Sequence, residues 1–223
     1  SFDGVEWTRR FDYPVYDLAV APDGTVWIAC DGSQWLGEAE VAVWLARWDG
    51  GSFVSMDPGS QAPALVANWP SPLRLAVAAD GRVWVTQHVG WGQSGLIRYD
   101  GATREEVPIS DYPAGDVGIG IMEAAPNGGL WIAGSIQGDA SGPLPLVARF
   151  DGETWTTYDL SSLSDIAVGP DGLVWIALED GLVSFDGTDW LYDLQGQGVS
   201  GVDVAPDGTV WYADADGLHT LDN

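Results

Sequence analysis

The chain has 223 residues, of which 33 are acidic and 8 basic, all eight of them Arg, for a formal net charge of −25. Such a field repels phosphate backbones and anionic headgroups, so nucleic acid and membrane surfaces are poor partners, and no segment approaches the length of a membrane-spanning helix. With 30 Gly, 13 Pro and 13 Trp in a chain that is 46% hydrophobic, the composition describes many short strands joined by turns around a sizeable core.

From the N-terminus, Phe2-Asp3-Gly4 reads as a turn and Val5-Glu6-Trp7-Thr8-Arg9 as a strand. The chain begins inside a repeat, without a signal peptide, so any targeting segment is expected to be absent or already removed. Val15 to Val20 then alternates apolar and polar residues, Pro22-Asp23-Gly24 turns, and Val26-Trp27 opens a second strand, which together describe a β-hairpin. The lone Cys30 in that strand has no intrachain partner and is expected as a buried free thiol.

Asp23-Gly24-Thr25-Val26-Trp27 returns as Asp80-Gly81-Arg82-Val83-Trp84, Asn127-Gly128-Gly129-Leu130-Trp131, Asp171-Gly172-Leu173-Val174-Trp175 and Asp207-Gly208-Thr209-Val210-Trp211. Between these copies an aromatic residue followed by Asp-Gly recurs at Trp48, Tyr99, Phe150 and Phe185, with Phe2-Asp3-Gly4 before the first copy and Leu221-Asp222-Asn223 as a degenerate last one. Asp caps such turns through its own side chain and Gly accepts positive φ, so both residue types are expected to shape the turns and not to carry chemistry. Each repeat therefore holds four antiparallel strands, the pattern of a propeller blade.

Five blades follow: about 15–56, 73–108, 118–158, 163–193, and 199–223 completed by 4–10. The N-terminal strand is expected to supply the outer strand that the last blade lacks, closing a single all-β, five-bladed ring without an unpaired sheet edge.

At this point a resemblance enters. Gly169-Pro170-Asp171-Gly172-Leu173-Val174-Trp175-Ile176-Ala177-Leu178-Glu179-Asp180-Gly181-Leu182 resembles the repeat of two-component-regulator propellers, found in periplasmic sensor regions of hybrid histidine kinases. It is also similar to the repeats of virginiamycin B lyase-like propellers. The resemblance implies a bacterial, extracytoplasmic protein, periplasmic or secreted, with either a sensor role or, on the lyase side, a catalytic His.

Departures from the repeat point to the working surface. From Asp23 to Asp49 is 26 residues, from Asp80 to Asp100 20, from Asn127 to Asp151 24, and from Asp171 to Asp186 or Asp207 to Asp222 only 15. Long connections also enter blades 2 and 3. In an up-and-down sheet all these insertions fall on one face, in loops at about 31–41, 57–72, 88–94, 109–117 and 135–145. The opposite face is expected to carry tight turns only.

Trp35, Trp69 and Trp91 lie in those loops with His88, Gln93, Tyr112 and Gln137. Flat apolar faces beside planar hydrogen-bonding groups suit a glycan or a peptide. Aligned inner strands place Asp17, Arg74, Ile121, Asp165 and Gly201 at one level of the axis, and Ala19, Ala76, Glu123, Ala167 and Asp203 two residues on. Arg74, the lone cation there, joins the expected ligand-binding residues. Asp17, Glu123, Asp165 and Asp203 are candidate ligands for a cation such as Ca²⁺, or they serve only to solvate a water-filled channel.

The expectation is a non-catalytic, monomeric recognition propeller for a glycan, a peptide or a partner protein. The enzymatic alternative, a lyase or glycosidase, would rest on His88, the one credible base, or on Asp17, Glu123 and Asp165.

Overall fold

The computed structural model describes residues 6, 8, 15–31, 43–55, 74–90, 93–101, 103–109, 117–136, 144–160 and 162–221. Blade 1 comprises β1 (Val15–Val20), β2 (Val26–Asp31), β3 (Val43–Trp48) and β4 (Phe53–Ser55). Blade 2 holds β5 (Leu75–Val77), β6 (Val83–Gly90), β7 (Gln93–Asp100) and β8 (Thr103–Val107), and blade 3 holds β9 (Val117–Ala124), β10 (Leu130–Ile136), β11 (Leu144–Phe150) and β12 (Trp155–Tyr158). Blade 4 is β13 (Leu163–Val168), β14 (Val174–Leu178), β15 (Gly181–Phe185) and β16 (Trp190–Gln195), followed in blade 5 by β17 (Val199–Val204), β18 (Val210–Asp214) and β19 (Gly217–Thr220).

Every sheet is an antiparallel meander in chain order, and the five stand in a ring as a five-bladed β-propeller with the first strand of each blade innermost. The expected fourth strand of blade 5, at 5–9, lies outside the described residues except for Glu6 and Thr8.

The turns form as their residues require. In the first, the Ala21 and Gly24 amides close the hairpin on Thr25 O and Ala21 O, while Asp23 Oδ1 accepts from Thr25 N at 2.8 Å. Gly24 sits at φ 83°, a conformation that costs a residue with a Cβ. In the second signature Asp186 Oδ1 accepts from both Thr188 N and Asp189 N at 2.8 Å. These donated bonds hold the Asp186 carboxyl below the ordinary carboxylate range, the mark of a turn-builder.

Between blades, the core is built from the repeated Trp. Trp131 stacks on Tyr158 with ring centroids 5.1 Å apart and meets Phe185 of blade 4 edge-on at 5.9 Å. Trp84 is wholly buried beside Phe150 of blade 3, and Trp175 joins Val202 and Val210 of blade 5. Each of these three Trp residues thus cements its own blade to the next one.

The insertion of blade 2 differs from the expected loop at 88–94. Its extra residues lengthen β6 and β7 to eight residues each, leaving only 91 and 92 between them, because period-two pairing continues as far as Gly90 and Gln93. The loop expected at 135–145 likewise shrinks to 137–143, since Ile136 pairs with Leu144.

Candidate functional site

A bulge at one position of the inner strands shapes the axis. Pairing slips between Val15 and Asp17, between Leu163 and Asp165, and between Val199 and Gly201, and an equivalent slip separates Ile119 from Ile121. Such an extra residue re-aims the side chain that follows it. Asp17, Arg74, Ile121 and Asp165 consequently line a central cavity of about 640 Å³, with Ala19, Ala76, Glu123 and Asp203 one pleat further along. Both levels read from the aligned inner strands meet in that cavity.

The residues expected at one level nevertheless do different work. Asp17 Oδ1 accepts from Leu18 N and its Oδ2 from Leu75 N of blade 2, each at 2.9 Å. Asp165 repeats the arrangement, accepting from Ile166 N at 3.0 Å and from Val202 N of blade 5 at 3.1 Å. Arg74 Nε donates to Gly120 O of blade 3. All three side chains are staples between neighbouring blades, an assignment that spacing alone could not show, because their partners are backbone groups of another repeat.

Asp165→Ala is therefore expected to lower stability by about 1–3 kcal/mol, since it strands the Val202 amide at a blade junction. Asp171→Ala, at an exposed turn, should cost less than about 1 kcal/mol. Urea denaturation of the two variants checks the difference.

Glu123 stands apart. Among the described residues its carboxyl has no hydrogen-bond partner, and it projects into the cavity where the other blades place Ala or Asp203. Burial, reinforced by the negative charges of Asp165, Asp203 and Asp17, pushes it up to about 8. Burial also raises Asp165, against the amide bonds from Val202 and Ile166 that favour its charge. Among the described residues no group of three or more His, Cys, Asp or Glu side chains is placed to hold a metal ion.

Of the loop candidates, Trp35, Trp69, Trp91, Tyr112 and Gln137 lie outside the described residues. His88 and Gln93 fall on β6 and β7, with His88 opposite Ser94 near the hairpin tip, so His88 belongs to a strand and not to a loop. One cluster went unread in the sequence. Asp214, with a side chain 3% exposed, accepts from His219 Nε2 at 2.9 Å, from Asp216 N at 2.8 Å and from Gly217 N at 3.1 Å, while Gln197 Nε2 also reaches it. Burial works against its charge, but the bonds from Asp216, Gln197 and His219 outweigh it and hold the carboxyl below its ordinary range. Asp-Ala-Asp-Gly ahead of Leu-His was the available signal, since a two-residue turn brings residues at that spacing onto adjacent strands.

The fold and its cavity define a five-bladed propeller, and comparisons with known proteins agree. The chain matches no protein family and no curated protein by sequence. Among solved structures it is similar to a streptogramin B lyase, at 15% identity and a TM-score of 0.59 over 93% of this chain and 64% of that one. It is also similar to the extracellular domain of a candidate one-component system from B. thetaiotaomicron, at 13% identity and 0.59 over 97% and 28%. A third is YCF48 bound to D1 peptide, at 12% and 0.52 over 94% and 67%. The chain thus spans less than two thirds of the length of the first two. At these identities the likenesses establish the fold, and the first two, a streptogramin B lyase and an extracellular domain of a one-component system, are of the kinds that the repeat resembles.

Proposed function

We propose that the chain is a non-catalytic recognition module of an extracytoplasmic protein, taking a glycan or a peptide on the long-loop face over blades 1 to 3. The observation that carries this reading is the one-sidedness of the connections. The segments 32–42, 56–74, 108–116 and 137–143 all fall on the face of the β2–β3 and β4–β5 connections, while β14 to β15 and β18 to β19 are joined on that same face by two residues each. Loops lengthened on one side of a rigid scaffold are where ligands are held.

Those segments hold Trp35, Trp69, Tyr112 and Gln137, with Trp91 and Gln93 at the blade 2 hairpin, a set suited to stacking and planar hydrogen bonding. Support comes also from YCF48, which carries a bound peptide in its structure, and from the likeness to the extracellular domain of a one-component system. On glycan and peptide arrays the protein is expected to retain a ligand whose binding falls about tenfold or more in Trp35→Ala or Trp91→Ala. Arrays with no binding that responds to either variant would sink the proposal.

One observation favours an enzyme instead. Glu123, raised to about 8 in the cavity, would be protonated at neutral pH and able to donate a proton as a general acid. Turnover of a polysaccharide or lactone panel that disappears in Glu123→Gln or His88→Ala would establish that reading and displace ours.

A further inference from the structure

The repeat puts one Asp in the turn after the first strand of a blade and another in the turn after the third. In blade 2 these are Asp80 and Asp100, and Arg82 bridges them, with Nη1 2.9 Å from Asp80 Oδ2 and Nε 3.6 Å from an Asp100 carboxylate oxygen. Blade 4 has the same pair as Asp171 and Asp186, but Leu173 stands in the place of Arg82. Their Oδ1 atoms accept turn amides, Asp171 from Leu173 N at 3.0 Å and Asp186 from Thr188 N and Asp189 N at 2.8 Å. Among the described residues their Oδ2 atoms have no partner.

The facing wall, from blade 3, carries the opposite charge. Arg149 lies across from Trp131 as Arg98 lies across from Trp84 in blade 2. Arg98 is neutralised by Glu105 on the next strand, whereas Arg149 has Thr156 there. Among the described residues the half-buried Arg149 forms no hydrogen bond or ion pair, although its charge reaches Asp151 in the turn of its own blade.

Between the walls lies a cavity of about 260 Å³, lined by Arg149, Asp171 and Asp186 together with Pro126, Trp131 and Phe185. One junction earlier the corresponding place is filled. There Asp80 and Arg82 cover the buried Gly128, so that a methyl group built on it would stand 2.6 and 3.3 Å from them. Blade 3 has Asn127 and Gly129 in place of Asp80 and Arg82, and the counterpart Gly172 is exposed, with nothing within 4 Å of such a methyl.

We infer that this cavity between blades 3 and 4 binds a small zwitterion, a free amino acid with an apolar side chain. The carboxylate meets the Arg149 guanidinium, and the ammonium takes the place between Asp171 and Asp186 that a guanidinium takes in blade 2. The side chain lies against Pro126 and Phe185. A plain anion would face two carboxylates and a plain cation an unpaired guanidinium, so a ligand bearing both charges suits the two walls best. A volume of 260 Å³ holds one such molecule. The cavity opens among the short turns, away from the long loops, so the inference stands independently of the function proposed above.

The test follows an isotopically labelled sample of the full chain amide by amide in NMR. The titrants are L-leucine, L-leucinamide, which lacks the carboxylate, and isocaproate, which lacks the ammonium. L-Leucine is expected to shift the signals of residues 127–129, 171–173 and 186–187 saturably, with a Kd of about 1 mM. Each analogue is expected to bind about tenfold or more weakly, because one charged wall is left without its partner.

Arg149→Gln, and separately Asp171→Asn combined with Asp186→Asn, should each weaken L-leucine about tenfold, while Asp23→Asn in the same turn of blade 1 leaves it unchanged. Asn keeps the turn bond, as Asn127 Oδ1 does in accepting from Gly129 N at 3.1 Å, so the remaining spectrum should show the fold intact. The inference is overturned by the absence of saturable shifts at those residues or by equal binding of either analogue. A Kd indifferent to Arg149→Gln and to the paired Asn substitutions would also overturn it.

Discussion

Glu123→Gln is expected to stabilise the protein at alkaline pH and to leave it nearly unchanged near pH 4. The folded-state value of about 8 stands above the ordinary 4.5, so the folded protein holds a proton that the unfolded chain has released. A raised acid contributes stability that is fully present below its unfolded pKa and lost as pH rises through its folded one. Between these values the wild-type protein loses up to about 1.4 kcal/mol per pH unit relative to the variant, which carries no titrating group. Water reaching the half-buried carboxyl trims the total to about 3 kcal/mol at pH 9, or about 6–12 °C in Tm for a chain of this size. Melting curves of both proteins from pH 4 to 9 check it: parallel curves would mean that Glu123 ionises normally and that the cavity is wet and open around it.

Trp131→Ala is expected to be far more damaging than Trp211→Ala, though the two occupy the same place in the repeat. Trp131 is 1% exposed and meets Tyr158 and Phe185, so its removal leaves a cavity between blades 3 and 4 and should cost about 3–5 kcal/mol. Trp211 is 40% exposed and should cost about 1 kcal/mol. Equal losses by chemical denaturation would show that Trp211 is packed as tightly as Trp131.

What the sequence made legible was whatever repeats. Asp-Gly at fixed offsets placed every turn, and the aligned inner strands put Asp17, Arg74, Ile121 and Asp165 at one level and Glu123 and Asp203 at the next, all of them around one cavity. The roles of Asp17, Arg74 and Asp165 were not legible, because each is settled by a backbone group of a neighbouring blade that has no sequence signature of its own. The extra residues of blade 2 could be counted but not apportioned between strand and loop, since pairing through Gly90 and Gln93 depends on both strands together. Differences in exposure between equivalent residues were hidden most completely. Trp211, Leu18 and Val20 look like their counterparts in every other blade, and only exposure separates them.

The central claim is that a regular scaffold presents one irregular face for recognition. Hydrogen exchange measured with and without the best array ligand tests it most directly. Protection confined to 32–42, 56–74, 91–92, 108–116 and 137–143 is the result predicted. Protection at the turns of the opposite face, around Asp23, Asp80, Asn127, Asp171 and Asp207, would contradict it.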